Sequence, residues 1–166
     1  MKQENIKGFT LIELLVAMGL FLAVIVLASG TFIRALKIER QAISLIAIND
    51  GANLALEQMA REIRTGSDFS STGKEILSFT SAVSKQITYQ FNANSKSIER
   101  SEDGVVFQSL TASNVLVNKL AFITSGLDNN DDLPVRITIV LSVGSHSKNL
   151  ENIFTNLETT VSPRFF

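Results

Sequence analysis

The sequence predicts an α+β chain: a long N-terminal helix, membrane-spanning in its first half, packed on an antiparallel β-sheet domain. Three patterns carry that prediction. Between Phe9 and Ile33 the only charged residue is Glu13. Apolar residues then recur at spacings of three and four as far as Ile63, which marks a helix with one buried face. Beyond Gly66 the period falls to two, as in half-buried strands.

The first element explains an unusual composition. Apolar residues make up 45% of the chain and charged residues 19%, and much of the excess lies in Phe9–Ile33. A helix of that length rises about 37 Å, enough to cross the roughly 30 Å hydrocarbon core of a bilayer with some tilt. It is too long for the apolar core of a secretory signal peptide, and Ala28-Ser29 near its end make no Ala-x-Ala cleavage site. The segment is therefore expected to stay on the protein as an anchor. A short, mostly polar stretch of eight residues with Lys2 and Lys7 precedes it. Glu13 is the anomaly, because a carboxylate in a membrane helix costs about 2.5–3.5 kcal/mol on insertion scales. Either it sits near enough to the interface to reach water or headgroups, helped by the helix dipole, or it awaits a cationic partner from another chain.

The helical stripe continues through Ile38, Ala42, Leu45, Ile48, Ala52, Leu56, Met59 and Ile63. Glu57 and Arg61 stand four apart in the supportive order, and Gly66 is a natural stop. One helix is expected over about Thr10–Thr65, with Gly30 and Asp50-Gly51 as places where it could break. Strands follow at Ile76–Phe79, Ile87–Phe91, Ser97–Arg100 and Val105–Phe107, separated by turns at Asn92–Ser95 and Glu102–Gly104. Val115–Thr124 is either a strand pair or one longer strand. Pro134 opens Val135–Val143, where Val135, Ile137, Ile139 and Leu141 share a face, and Phe154–Val161 is the last strand. These strands make one antiparallel sheet or two small ones.

The stretch Gly8-Phe-Thr-Leu-Ile-Glu-Leu-Leu-Val-Ala-Met18 resembles the class III signal of type IV prepilins and type II secretion pseudopilins. Lys7-Gly8 ends a short basic leader, Phe9 supplies the aromatic residue, and Glu13 falls five residues into the mature chain. The resemblance implies cleavage by prepilin peptidase between Gly8 and Phe9, N-methylation of the new Phe9 amine, and pairing of Glu13 with the Phe9 amine of a neighbouring subunit. A buried carboxylate and ammonium are tolerable only as a well-made pair, and such a pair can set register. Residues 1–8 are then a leader, 9–33 the transmembrane helix, 34–66 its amphipathic continuation, and 67–166 an extracytoplasmic β-rich domain.

The implied partners are other pilin or pseudopilin subunits, the prepilin peptidase and a membrane assembly platform. The implied location is the inner or cytoplasmic membrane, crossed once with the N-terminus in the cytoplasm, and then an extracytoplasmic filament. Counting basic residues alone, Arg34, Lys37 and Arg40 after the span outnumber Lys2 and Lys7 before it and favour the opposite orientation. The cleavage motif overrules that count. Leu56–Arg64 and Asp132–Ile139 are similar to segments of J-type pseudopilins and PilW-like minor pilins, which points to a minor subunit near a filament tip or priming assembly. Gly30 stands where many major pilins have proline. The filament is a type IV pilus, a secretion pseudopilus or a DNA-uptake filament.

Other chemistry finds little footing. A net charge of −1 offers no basic patch for nucleic acid, so direct nucleic-acid binding is not expected. With no cysteine and one histidine, His146, disulfides are impossible and Cys/His zinc sites have no ligands. No cofactor and no catalytic residue is expected. Asp128, Asn130 and Asp132 alternate like the start of a calcium loop, but Leu133-Pro134 follow, and the sixth-position glycine and closing glutamate of an EF-hand are missing. A solvated turn explains them equally well. His146 sits in a polar loop without a neighbouring acid, and Arg61, Arg64, Glu57 and Glu62 fit a solvated helix face. The rivals to a filament subunit are an uncleaved signal anchor with a ligand-binding or sensory outer domain, and an envelope hydrolase with an unrecognised site.

Overall fold

The structure, a computed structural model, describes residues 8–127, 134–146, 150 and 153–164. Helix α1 runs Leu11–Arg64 as one element of 54 residues, passing both Gly30 and Asp50-Gly51 without a break. Eight strands follow: β1 Ser67–Thr72, β2 Ile76–Thr80, β3 Gln86–Asn92, β4 Ser97–Ser101, β5 Phe107–Ser109, β6 Val115–Ser125, β7 Arg136–Ser145 and β8 Phe154–Val161. The result is the expected α+β arrangement of a long N-terminal helix packed on antiparallel sheets. The chain divides into two compact units, Met1–Ala42 and Ile43–Phe166, and α1 contributes residues to each.

In the first unit, α1 from Leu11 to Ile33 carries apolar side chains around its whole circumference, and all are exposed in the isolated chain. This is the one helix among the described residues long and apolar enough to cross a membrane. Thr31 adds no free polar group to that surface, because its hydroxyl donates to the Leu27 carbonyl at 2.6 Å. That bond and its neighbours carry the helix past Gly30.

In the second unit, Ile48, Ala52, Ala55, Leu56, Met59 and Ile63 form the buried face of α1. They share one core with Leu77 and Phe79 of β2, Ile87 and Tyr89 of β3, Ile98 of β4, and the inward residues of β6, β7 and β8. The strands form two sheets, five-stranded in the order β1-β2-β3-β4-β5 and three-stranded in the order β6-β7-β8. Val115–Ser125 is therefore one long strand. Its inward residues are Val115 and Val117, then Leu120 and Phe122, and the change of parity comes from a bulge between Val117 and Lys119. The two sheets are joined where the Val117 N–H donates to the Lys96 carbonyl and the Phe122 N–H to the Lys74 carbonyl, at 2.8 and 2.7 Å.

Several local expectations change. β1 had no apolar alternation to reveal it, since Ser67–Thr72 is mostly serine and threonine and carries a bulge with Asp68 at φ 53°. The strand expected at Val105 begins at Phe107, because Asp103 accepts hydrogen bonds from the Val105 and Val106 N–H groups and holds them in the turn. Gly66 does end the helix, but not in the left-handed conformation. A Cβ there would lie 2.5 Å from Cδ2 of Phe79, so glycine is needed for close approach. Glu57 and Arg61 form no ion pair.

Glu62 is also corrected: it is part of a half-buried network, not a solvated face. Its carboxylate accepts from the Tyr89 hydroxyl at 2.8 Å and from Nε of Arg100 at 3.1 Å. Arg100 also donates to Glu102, which Lys85 holds at 2.6 Å. Burial first, then the Glu62 charge, pushes the Tyr89 hydroxyl above its ordinary range, so it stays a donor. Burial opposes the Arg100 charge, but the hydrogen bonds it donates to Glu102 and Glu62 outweigh that and raise the group. The network ties the end of α1 to β3 and β4. The C-terminal segment adds a second tie, the Arg164 N–H donating to the Arg64 carbonyl at 2.9 Å.

The Gly66 contact is directly testable. Phe79 stacks on Phe69 and Tyr89 with ring centroids 5.4 and 6.2 Å away, so its ring has little room to retreat. Gly66→Ala should destabilise the domain by about 1–3 kcal/mol, the usual cost of overpacking, read as a lower thermal midpoint of the detergent-solubilised protein. An unchanged midpoint would show that Phe79 gives way freely.

Candidate functional site

The residues singled out by the sequence converge at the start of α1. Gly8 is exposed, and no atom beyond its neighbours lies within 4 Å of where a Cβ would stand. Phe9 is 83% exposed. Among the described residues, then, nothing is packed against Gly8 and Phe9 is exposed, the condition a peptidase needs to close around the bond between them. Glu13 lies one turn further on, in a shallow apolar groove of about 330 Å³ lined by Phe9, Ile12, Val16, Ala17 and Leu20. Among the described residues it is the sole charged side chain there.

Thr10 is the residue that sequence reasoning missed. Its carbonyl accepts the first helical hydrogen bond, from the Leu14 N–H at 3.2 Å, which makes it the N-cap. Its Oγ1 accepts from the Glu13 N–H at 3.3 Å, while its own N–H and hydroxyl donate to Oε2 of Glu13 at 3.0 and 2.8 Å. This is a reciprocal capping box, and Thr10-Leu-Ile-Glu13 is its sequence signature. The motif was legible, but attention to Glu13 as a membrane anomaly hid its role as a cap. The carboxylate therefore has local partners in the single chain, and it points back toward the Gly8–Phe9 bond.

The remaining candidates do not join this site. His146 is exposed in the turn after β7, and the Asp128–Asp132 segment considered for calcium lies outside the described residues. Among the described residues no group of three His, Cys, Asp or Glu side chains could hold a metal. A cleft of about 560 Å³ on the five-stranded sheet is lined by Lys85, Arg100, Glu102, Asp103, Val106 and Gln108. There Glu102 pairs with both Lys85 and Arg100, and Asp103 accepts from the Val105 and Val106 N–H groups.

Against known families, residues 5–29 match the prokaryotic N-terminal methylation motif. That match, together with the apolar helix it leads into, supports a type IV pilin-like precursor that is processed by prepilin peptidase and assembles with other pilins. The match covers the N-terminal segment and does not extend into the β-rich domain. No curated protein matches the chain significantly, and neither does any solved structure.

The cap makes a specific prediction. Thr10→Val removes the hydroxyl and should cost about 1 kcal/mol at the helix start, seen by NMR as several-fold faster amide exchange at residues 11–13 in micelles. Thr10→Ser should restore wild-type exchange. Equal exchange in all three proteins would mean that the box does not hold the helix end.

Proposed function

We propose that this chain is a minor subunit of a type IV pilin-like filament and not an enzyme. In this reading the apolar half of α1 inserts in the inner or cytoplasmic membrane with the leader in the cytoplasm. Prepilin peptidase cuts between Gly8 and Phe9, and the Phe9 amine is methylated. Glu13 then pairs with the Phe9 amine of an adjacent subunit as the helices gather through the membrane assembly platform. The filament is a pilus, a secretion pseudopilus or a DNA-uptake filament, and the subunit primes it or sits near its tip.

The observation that carries this reading is a lone carboxylate in an otherwise uncharged helix, five residues beyond an open Gly8–Phe9 bond and inside the methylation-motif match. The minor role rests on the resemblance of Leu56–Arg64 and Asp132–Ile139 to J-type and PilW-like subunits. It is supported by the lack of cysteine, which rules out the disulfide loop common in major pilins. A second reading, an uncleaved signal anchor with a ligand-binding or sensory domain, is favoured by one observation: Thr10 already satisfies Glu13 within the chain.

Mass spectrometry of the N-terminal peptide from membrane-extracted native protein separates the two. The filament reading predicts a chain that begins at Phe9 and carries one added methyl group. An intact leader beginning at Met1 would leave the signal anchor standing and remove the filament subunit.

A further inference from the structure

We propose that Arg34, Lys37 and Arg40 form a basic collar that binds anionic lipid headgroups and fixes the depth of the apolar span, placing Glu13 at the opposite headgroup layer. The inference requires α1 to cross a bilayer but needs neither cleavage nor filament assembly, so it goes beyond the function proposed above.

The three cations begin at the residue directly after Ile33, the last of the apolar run. At 100° per residue they fall within about a third of the helix circumference, with Glu39 off that face. All three are exposed and none takes part in an ion pair among the described residues. Arg34 and Arg40 are separated by about 9 Å along the axis. That is close to the roughly 5–8 Å thickness of one headgroup layer, and long basic side chains bend toward such a layer with their stems left in lipid. An ordinary solvated face would need no such position. Here the cations lie where the hydrocarbon ends.

The spacing to Glu13 gives the collar its consequence. Residues 14–33 contain no charged side chain, and the unbroken helix sets Glu13 and Arg34 about 32 Å apart along its axis. That separation matches the roughly 30 Å hydrocarbon thickness. With Arg34 held in one headgroup layer, Glu13, Thr10 and the Gly8–Phe9 bond reach the other. The carboxylate then avoids the hydrocarbon core while the subunit waits in the membrane, and the opposing charges at the two ends resist sliding in either direction.

The test uses the purified full-length precursor in vesicles of phosphatidylcholine alone or mixed equally with phosphatidylglycerol. Spin-labelled lipids report which headgroup the protein prefers. Because the chain lacks cysteine, Leu14→Cys gives a single site for a fluorophore whose depth is read with shallow and deep quenchers. The collar predicts a several-fold preference for phosphatidylglycerol that high salt weakens. Combined Arg34→Gln, Lys37→Gln and Arg40→Gln should abolish most of it and make the label less accessible to the deep quencher, because the neutralised end can then sink while Glu13 still resists entering the core. Arg34→Lys with Arg40→Lys should keep both wild-type properties, which separates charge from folding. A neutralised variant with unchanged lipid preference or unchanged label depth would overturn the proposal. So would a variant that behaves as wild type in vesicles but no longer associates with a second copy, since the triad would then serve a protein partner.

Discussion

A carboxylate in an apolar helix must be solvated, neutralised or hydrogen-bonded, and the N-terminal half of this chain is organised around that requirement. In the single chain Glu13 is answered by Thr10, whose N–H and hydroxyl both donate to it. Those donors quench part of its demand but leave its charge. A neighbouring ammonium would supply what Thr10 cannot, and cleavage after Gly8 would create such an ammonium four residues away in sequence. The cap and the pair are therefore compatible stages: the first orients the carboxylate toward the helix start, and the second neutralises it. Burial of an uncompensated charge is costly enough to favour the exchange when helices pack together.

The second half of the chain obeys a different constraint. Its helix segment presents one face to a core shared with two small sheets. Ile48, Ala52, Leu56, Met59 and Ile63 meet residues from both, and the β6 bulge lets one strand turn Val117 and Leu120 to the same core. The half-buried Glu62–Arg100–Tyr89 network and the Arg164–Arg64 hydrogen bond fasten the end of the helix. Without cysteine, the domain holds by packing and these polar ties.

Much of this was legible. The long uncharged run, the stripe ending at Ile63 and the alternation in β3 and β7 each carry one dominant pattern, so the helix and the central strands emerged with the right type. What escaped had weak or mixed signals. β1 is mostly small hydroxyl residues, with one apolar side chain, and has no alternation of its own to mark it as a strand. The bulge in β6 breaks its own alternation, which made one strand look like two. Glu62 gave no sign of its buried partners because Tyr89 and Arg100 are 27 and 38 residues away. At the site, Gly8, Phe9 and Glu13 were found through the fixed spacing of the motif. Thr10 was overlooked because a hydroxyl beside a membrane span has no hydropathy signature, although its spacing to Glu13 did carry one.

Glu13→Gln is the most direct probe of the central interaction, because glutamine preserves the capping box while deleting the charge. The measurement is the amount of the variant recovered in sheared filaments from cells that express the processing and assembly machinery, relative to wild type and to Thr10→Val. If Glu13 serves a neighbouring amine, the glutamine variant should be processed and remain membrane-bound yet be largely absent from filaments, while Thr10→Val is retained. Glutamine incorporated as well as glutamate would contradict the charge pair and leave Glu13 as a helix cap alone.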